Sequence, residues 1–199
     1  MNRNSFVAAV ASMSMVASAL GLNIGDKAPS TNVKMKNVDG REISIADVAG
    51  KEGTLVIFSC NHCPFVKAWQ GRIASIGNAA NGKDVGVIVI NSNDPASYPE
   101  DGFSEMQQRA KQLGFTFPYV VDATSDMARA YGATRTPEAF LFDKDGKLVY
   151  HGAIDDSKQA DQVTKHYLQD AIDALIAGRE IGTKETKFVG CGIKFRAKS

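Results

Sequence analysis

The residues Cys60-Asn61-His62-Cys63-Pro64 follow almost directly on the run Thr54-Leu55-Val56-Ile57-Phe58, and the two stretches together leave the chain few ways to fold. Consecutive branched or aromatic apolar residues, bounded by Lys51-Glu52-Gly53 and Ser59, predict a buried strand. Beyond the second cysteine the period changes. Phe65, Trp69, Ile73 and Ile76 recur at intervals of four, four and three, which is the spacing of a helix face, and Pro64 suits a first turn whose N–H groups have no intrahelical partner. A thiol pair is thereby set at a strand-to-helix junction. Cys60 is expected at the helix N-terminus, where unpaired N–H groups and the positive end of the dipole favour the nucleophilic thiolate. Cys63, one turn on, is placed to resolve a mixed disulfide formed by Cys60. The other readings are a zinc half-site or two inert core cysteines. A zinc site needs two further ligands, usually as a second pair, and outside the motif the chain offers Cys191, His151 and His166 at no paired spacing.

The first residues read as a leader. Arg3 gives a positive start, Phe6 to Val16 is an apolar and small-residue run, and Ala17-Ser18-Ala19 fits a small-x-small cleavage pattern, so residues 1–19 are expected to be a signal peptide and the mature chain to begin near Leu20. Ser12 and Ser14 interrupt the run, which falls short of the ~20 residues of a spanning helix, so no stable membrane anchor is expected. A periplasmic or secreted location follows, where disulfides persist. About 180 residues then remain, the size of one domain with an adequate core of its own. Three cysteines are too few for a disulfide scaffold and are better explained by reactivity. With a net charge of +1 and no basic run, nucleic acid is not an expected partner.

Along the chain, Val33 to Ile43 reads as a hairpin turned by Asp39-Gly40. After the Thr54–Phe58 strand and the motif helix, Val85 to Ile90 is a second buried strand, and Asn91 to Gly102 is a polar loop. Phe103, Met106, Ala110 and Leu113 mark a helix stopped by Gly114. Tyr119 to Val121 is a short strand and Ser125 to Tyr131 a short helix ended by Gly132. Glu138 to Phe142 and Lys147 to Tyr150 form a hairpin around Asp143-Lys144-Asp145-Gly146. A last helix carries Val163, Tyr167, Ala171 and Leu175 and stops at Gly178. This order predicts an α/β domain with a mixed central sheet flanked by helices, an N-terminal hairpin and an insertion after the second core strand. The domain is expected over residues 20–182, and residues 183–199 as a C-terminal tail that carries Cys191 and packs on the domain.

Several segments resemble the thioredoxin-like superfamily, in particular the peroxiredoxin-like branch of the redoxin (alkyl hydroperoxide reductase and thiol-specific antioxidant) domains. They are Cys60 to Val66, Asn91 to Asp94 with Tyr98 to Asp101, Phe117-Pro118-Tyr119, Thr136-Pro137-Glu138 before Phe140 to Asp143, and Gly190 to Lys194. The likeness runs from about Gly25 to Lys194. It implies a thioredoxin-like fold and a cis Thr136–Pro137 peptide facing the cysteines, leaving the Thr136 backbone free to pair with an extended substrate. It also implies that the residues between the cysteines tune the redox potential, which spans about −270 mV in thioredoxin to about −120 mV in DsbA. His62, just before the second cysteine, corresponds to the oxidising end. Glu138 is a candidate proton acceptor for Cys63, or else an outward-facing strand residue.

The expected function is therefore that of an exported thiol–disulfide oxidoreductase without a prosthetic group. It would act on protein or small-molecule thiols and disulfides and exchange electrons with an unidentified redox partner. A thiol peroxidase is the first alternative, with Cys63-Pro64 resembling a peroxidatic cysteine and its proline. Such enzymes carry Thr or Ser where this chain has Cys60, and Arg135 is not in the place of their arginine. A copper or zinc carrier using Cys60, His62, Cys63 and Cys191 is the second, since thiolates suit Cu(I). Cys191, too apolar in context to float free, is expected near the pair as a third exchange thiol or metal ligand, or else buried and inert.

Overall fold

The computed structural model describes residues 21–197; the leader expected over residues 1–19 lies outside them. The first strands, β1 (Met35–Asn37) and β2 (Glu42–Ile43), form the N-terminal hairpin, with Met35 opposite Ile43 and Lys36 opposite Glu42 across the Asp39-Gly40 turn. Next come β3 (Gly53–Phe58), α1 (Pro64–Asn81), β4 (Val85–Asn91), α2 (Phe103–Leu113), β5 (Tyr119–Val121) and α3 (Asp126–Tyr131). Then follow β6 (Arg135–Thr136), β7 (Glu138–Asp143), β8 (Leu148–Gly152), α4 (Tyr167–Ile176) and β9 (Cys191–Gly192). Seven strands make one mixed sheet in the order β2-β1-β5-β4-β3-β7-β8; β6 and β9 pair separately.

β3 and β4 are buried at every residue, because the sheet is covered on both faces. Alternate side chains of a strand point to opposite faces. Leu55 and Ile57 accordingly join Trp69 and Ile73 of α1, Met106 of α2 and Leu168 and Ile172 of α4 in one core layer. Val56 and Phe58 join Met127 and Tyr131 of α3 with Phe140 and Phe142 in the other. β3 runs parallel to β4 and antiparallel to β7, and the register that sets Phe58 opposite Glu138 brings the β3 end beside the start of β7. The cysteine motif leaves the sheet at that end.

Gly114 and Gly132 close α2 and α3 in left-handed conformations, φ 63° and 66°, as their positions after the apolar stripes require. One expected face and one expected boundary differ. In α1 the buried stripe is Val66, Trp69, Ile73, Gly77 and Ala80, with Phe65 and Ile76 only partly covered. Gly77 belongs to that stripe because its face meets the Phe117 ring, where a Cβ would come within 2.4 Å of a ring carbon. The last helix starts at Tyr167, so Val163 precedes it, after a 3-10 turn, and the buried residues are Leu168, Ala171, Ile172 and Ala174. Among the described residues no helix is long and apolar enough to cross a membrane.

The tail is strapped across the sheet. The His151 N–H donates to the Lys184 carbonyl and Thr186 N–H to the His151 carbonyl, which starts the segment along β8. β9 then runs antiparallel to β6, Thr136 opposite Cys191 and Arg135 opposite Gly192. Farther on, Asp94 N–H donates to the Lys194 carbonyl at 2.7 Å, and the Arg196 N–H to Ser125 Oγ at 2.9 Å.

Candidate active site

α1 begins at Pro64, with Cys63 as its N-cap, φ −61° and ψ 125°. The sequence placed Cys60 at the helix N-terminus; the structure places Cys63 there. The proline fixes the start, since its locked φ and missing N–H fit the first helical position and no later one. Cys60 lies in the preceding loop, its Sγ 3.2 Å from the Thr136 hydroxyl.

The loop between the cysteines is held by a residue that sequence reasoning left without a role. Asp101, 2% exposed, accepts the N–H of Asn61 at 2.6 Å and of His62 at 3.0 Å on one oxygen. Its other oxygen lies 2.6 Å from His62 Nδ1 and accepts Asn93 Nδ2 at 2.7 Å. The imidazole is clamped from its face as well, stacked on Tyr98 with ring centroids 3.8 Å apart. His62 is thus a fixed group, with one ring nitrogen committed to Asp101. The sequence signals for Asp101 were its place in the Tyr98 to Asp101 segment that resembles the family and the run of Asn, Ser and Asp in the 91–102 loop.

Three sulfurs meet at this junction. Cys60 and Cys63 share a side-chain hydrogen bond, and Cys63 Sγ lies 2.7 Å from Cys191 Sγ and 3.4 Å from the Thr136 carbonyl oxygen. Cys63 is the central one. The hydrogen bond from Cys60 holds its thiol well below the usual range against the opposing effect of burial, with Cys191 and the Val66 N–H helping. Cys60 is pushed far up by the same hydrogen bond, by burial and by the Asp101 charge. Burial and the contact with Cys63 raise Cys191. The anionic sulfur favoured by this arrangement is therefore Cys63, whereas sequence alone favoured Cys60.

The Thr136–Pro137 peptide is cis. The Thr136 backbone, expected to be free for a substrate strand, is already paired with β9, Thr136 opposite Cys191. Gly190 makes this approach possible, since a Cβ there would come within 2.3 Å of the Thr136 carbonyl oxygen. Arg135 Nη1 secures the strand by donating to the Gly190 carbonyl at 3.0 Å. Glu138 is buried, 1% exposed, and both its oxygens are occupied. One accepts the N–H of Thr134 and Arg135 at 2.9 and 3.0 Å, and the other lies 2.8 Å from His151 Nε2. Its observed partners fix the approach to Pro137 rather than reach a thiol.

Metal chemistry has a different donor set from the one the sequence suggested. Among the described residues, the groups with ligand atoms within 4.8 Å of one another are Cys60, His62 and Asp101, a set without Cys63 or Cys191. Within it, His62 Nδ1 and Asp101 are already turned to each other at 2.6 Å. Beside Pro137 a cavity of about 210 Å³ opens between Trp69, Asp155, Lys158 and the tail residues Lys187 and Val189.

Residues 23–168 match the redoxin family. Thiol-disulfide oxidoreductase ResA of Geobacillus thermodenitrificans is 26% identical over 127 residues, 63% of this chain. The chain spans 66% of that relative's length, just under two thirds. A crystal structure of an uncharacterized conserved protein from Geobacillus kaustophilus aligns with a TM-score of 0.83 at 39% identity, covering 89% of this chain and 94% of that one. A hypothetical protein from Sinorhizobium meliloti aligns with a TM-score of 0.82 at 34% identity, covering 89% and 97%. With the mixed sheet, the cysteine motif at the β3–α1 junction and a family match over most of its length, the chain belongs to the redoxin family and has its thioredoxin-like fold.

Proposed function

We propose that this protein is an exported thiol–disulfide oxidoreductase whose exchange chemistry is centred on Cys63. The observation that carries the reading is the contact of two buried cysteines, one favoured as thiolate and the other as thiol, at the end of β3 and against Thr136. A thiolate is the attacking species in exchange, and a stabilised thiolate is also the better leaving group. Cys63 supplies both properties. Cys60 completes the Cys60–Cys63 disulfide, and its high proton affinity, set by the hydrogen bond with Cys63 and by burial against the lowering effect of the Thr136 hydroxyl, lets it hold the proton while Cys63 reacts. His62, fixed by Asp101 and Tyr98, tunes the pair; Pro137 and Glu138 shape the wall opposite it. The name of the ResA relative supports the same chemistry. No prosthetic group is needed, and the substrates are disulfides or thiols of proteins or small molecules, regenerated by a separate redox partner.

Export rests on the leader pattern of residues 1–19. N-terminal sequencing of protein recovered from the extracytoplasmic fraction should begin near Leu20; recovery of chains that all begin at Met1 in the cytoplasm would remove that part of the proposal. The activity is tested by following disulfide reduction in insulin and hydrogen peroxide consumption on one sample. Disulfide exchange lost in Cys63→Ser and lowered in Cys60→Ser is expected. Peroxide turnover without disulfide exchange would replace this reading with the peroxidase.

A further inference from the structure

The pair that the proposed function needs is out of reach of solvent. Cys63 is 0% exposed and Cys60 2%, whereas Cys191, on the tail strand above them, is half-buried. The cover is a built element. β9 fills the pairing edge of β6, with Gly190 against the Thr136 carbonyl and its own carbonyl held by Arg135. Asn93 joins the cover to the loop beneath, donating through Nδ2 to Asp101 and accepting the Lys194 N–H at 2.8 Å through Oδ1. In this position the tail presents a cysteine to the active-site edge as an extended substrate strand would, with its sulfur 2.7 Å from Cys63.

We propose that Cys191 is the relay thiol of this protein: outside partners exchange with Cys191, and the tail strand passes the disulfide between Cys63–Cys191 and the buried Cys60–Cys63 pair. The inference rests on the reading of that pair as exchange thiols. In the internal step, the Cys191 thiolate attacks the Cys63 sulfur of the Cys60–Cys63 disulfide. The Cys63–Cys191 bond forms as the Cys60–Cys63 bond breaks, and Cys60 leaves as a thiolate and takes up the proton that Cys191 gave up. No oxidant or reductant is consumed. An outside thiolate then attacks Cys191 Sγ, and Cys63 leaves as a thiolate. A second outside thiolate attacks the partner sulfur of the mixed disulfide and releases Cys191. Two outside thiolates have become one disulfide, and their two electrons have reduced the original Cys60–Cys63 disulfide, leaving all three cysteines as thiols. The same steps in reverse reduce an outside disulfide. Cys63, with the lowest proton affinity, is the good leaving group when an outside thiolate attacks Cys191; Cys60, with the highest, leaves in the internal step and takes up the proton there, which makes the internal step the slower of the two.

The test uses the oxidised purified protein and reduced glutathione, with acid quenching and peptide mapping of the mixed disulfide. Glutathione is expected on Cys191. Cys191→Ser, which keeps the cover in shape but removes its sulfur, should slow reduction by glutathione at least tenfold. Cys60→Ser should form a Cys63–Cys191 disulfide in glutathione buffer, an independent readout should the first variant not fold. Glutathione mapped to Cys60 or Cys63, with Cys191→Ser reduced at the wild-type rate, would overturn the relay and leave the two-thiol enzyme standing. A wild-type protein that forms no disulfide at all in glutathione buffer would remove the proposed function itself.

Discussion

Asp101→Asn removes one charge from beneath the cysteine loop and should be felt twice. The Asp101 carboxylate and the Cys60 sulfur lie within 4.8 Å, a separation at which like charges in a medium of effective dielectric about 20 repel by about 3 kcal/mol. Each pKa unit corresponds to about 1.4 kcal/mol, so neutralising Asp101 should bring the Cys60 thiol down by roughly two units. The second effect is structural. Asparagine retains an oxygen for the Asn61 and His62 N–H groups but turns an NH₂ toward Asn93 Nδ2 and His62 Nδ1, in a site where the Asp101 side chain is 0% exposed. A buried donor left without an acceptor costs about 1–3 kcal/mol, and the variant should lose that much stability in a urea titration. The thiol is best followed by thiolate ultraviolet absorbance against pH in a Cys63→Ser, Cys191→Ser background, where Cys60 is the remaining cysteine. A Cys60 titration unmoved by Asp101→Asn, with unchanged unfolding, would refute the role assigned to this carboxylate.

Gly190→Val should unseat β9, because its Cβ would meet the Thr136 carbonyl oxygen at 2.3 Å, and should raise the alkylation rate of Cys63 at least tenfold; an unchanged rate would mean that the tail is not the cover. Glu138→Ala leaves the Thr134 and Arg135 N–H groups and His151 without their buried acceptor and should destabilise the protein by about 2–4 kcal/mol in chemical denaturation, against less than about 0.5 kcal/mol were Glu138 merely on the surface. The reduced protein should also show a pH-dependent stability. A thiol depressed in the folded state, as at Cys63, contributes stability that is fully present above its unfolded value of about 8.5 and is lost as pH falls toward its folded value. Cys60, raised on folding, has the opposite sign and loses its contribution above that pH. The stability difference between the wild type and Cys63→Ser should therefore grow as pH rises toward about 8.5, and a flat difference would contradict the thiolate assignment.

What the sequence disclosed follows how locally each feature is encoded. β3 and β4 were legible because strands covered on both faces read as unbroken apolar runs, and the ends of α2 and α3 because a left-handed closing residue calls for glycine. The start of α4 was misread because Val163 falls at helical spacing from Tyr167 by coincidence, while the true stripe of Leu168, Ala171 and Ile172 begins a turn later. The motif was visible, but the division of labour within it was not. Which cysteine is the thiolate depends on Pro64 setting the helix start after Cys63 and on contacts made across the fold. Asp101 reaches Asn61 across 40 residues of sequence, and Cys191 reaches Cys63 across 128. Neither pairing leaves a periodicity or a spacing to be read. The pairing of Thr136 with β9 is of the same kind: the glycines flanking Cys191 permitted a close backbone approach, but only the folded chain identifies which backbone is approached.

The central claim is that Cys63 is the shared sulfur of a reversible redox couple. Equilibrating the protein across a series of glutathione redox buffers, quenching with acid and mapping disulfides by mass spectrometry at each ratio tests it most directly. The account predicts a reversible two-electron transition more oxidising than the about −270 mV of thioredoxin, with Cys63 in every intramolecular disulfide recovered, joined to Cys60 or to Cys191. A protein in which Cys63 stays a free thiol across the series, or in which it is lost only to irreversible oxidation, would contradict it.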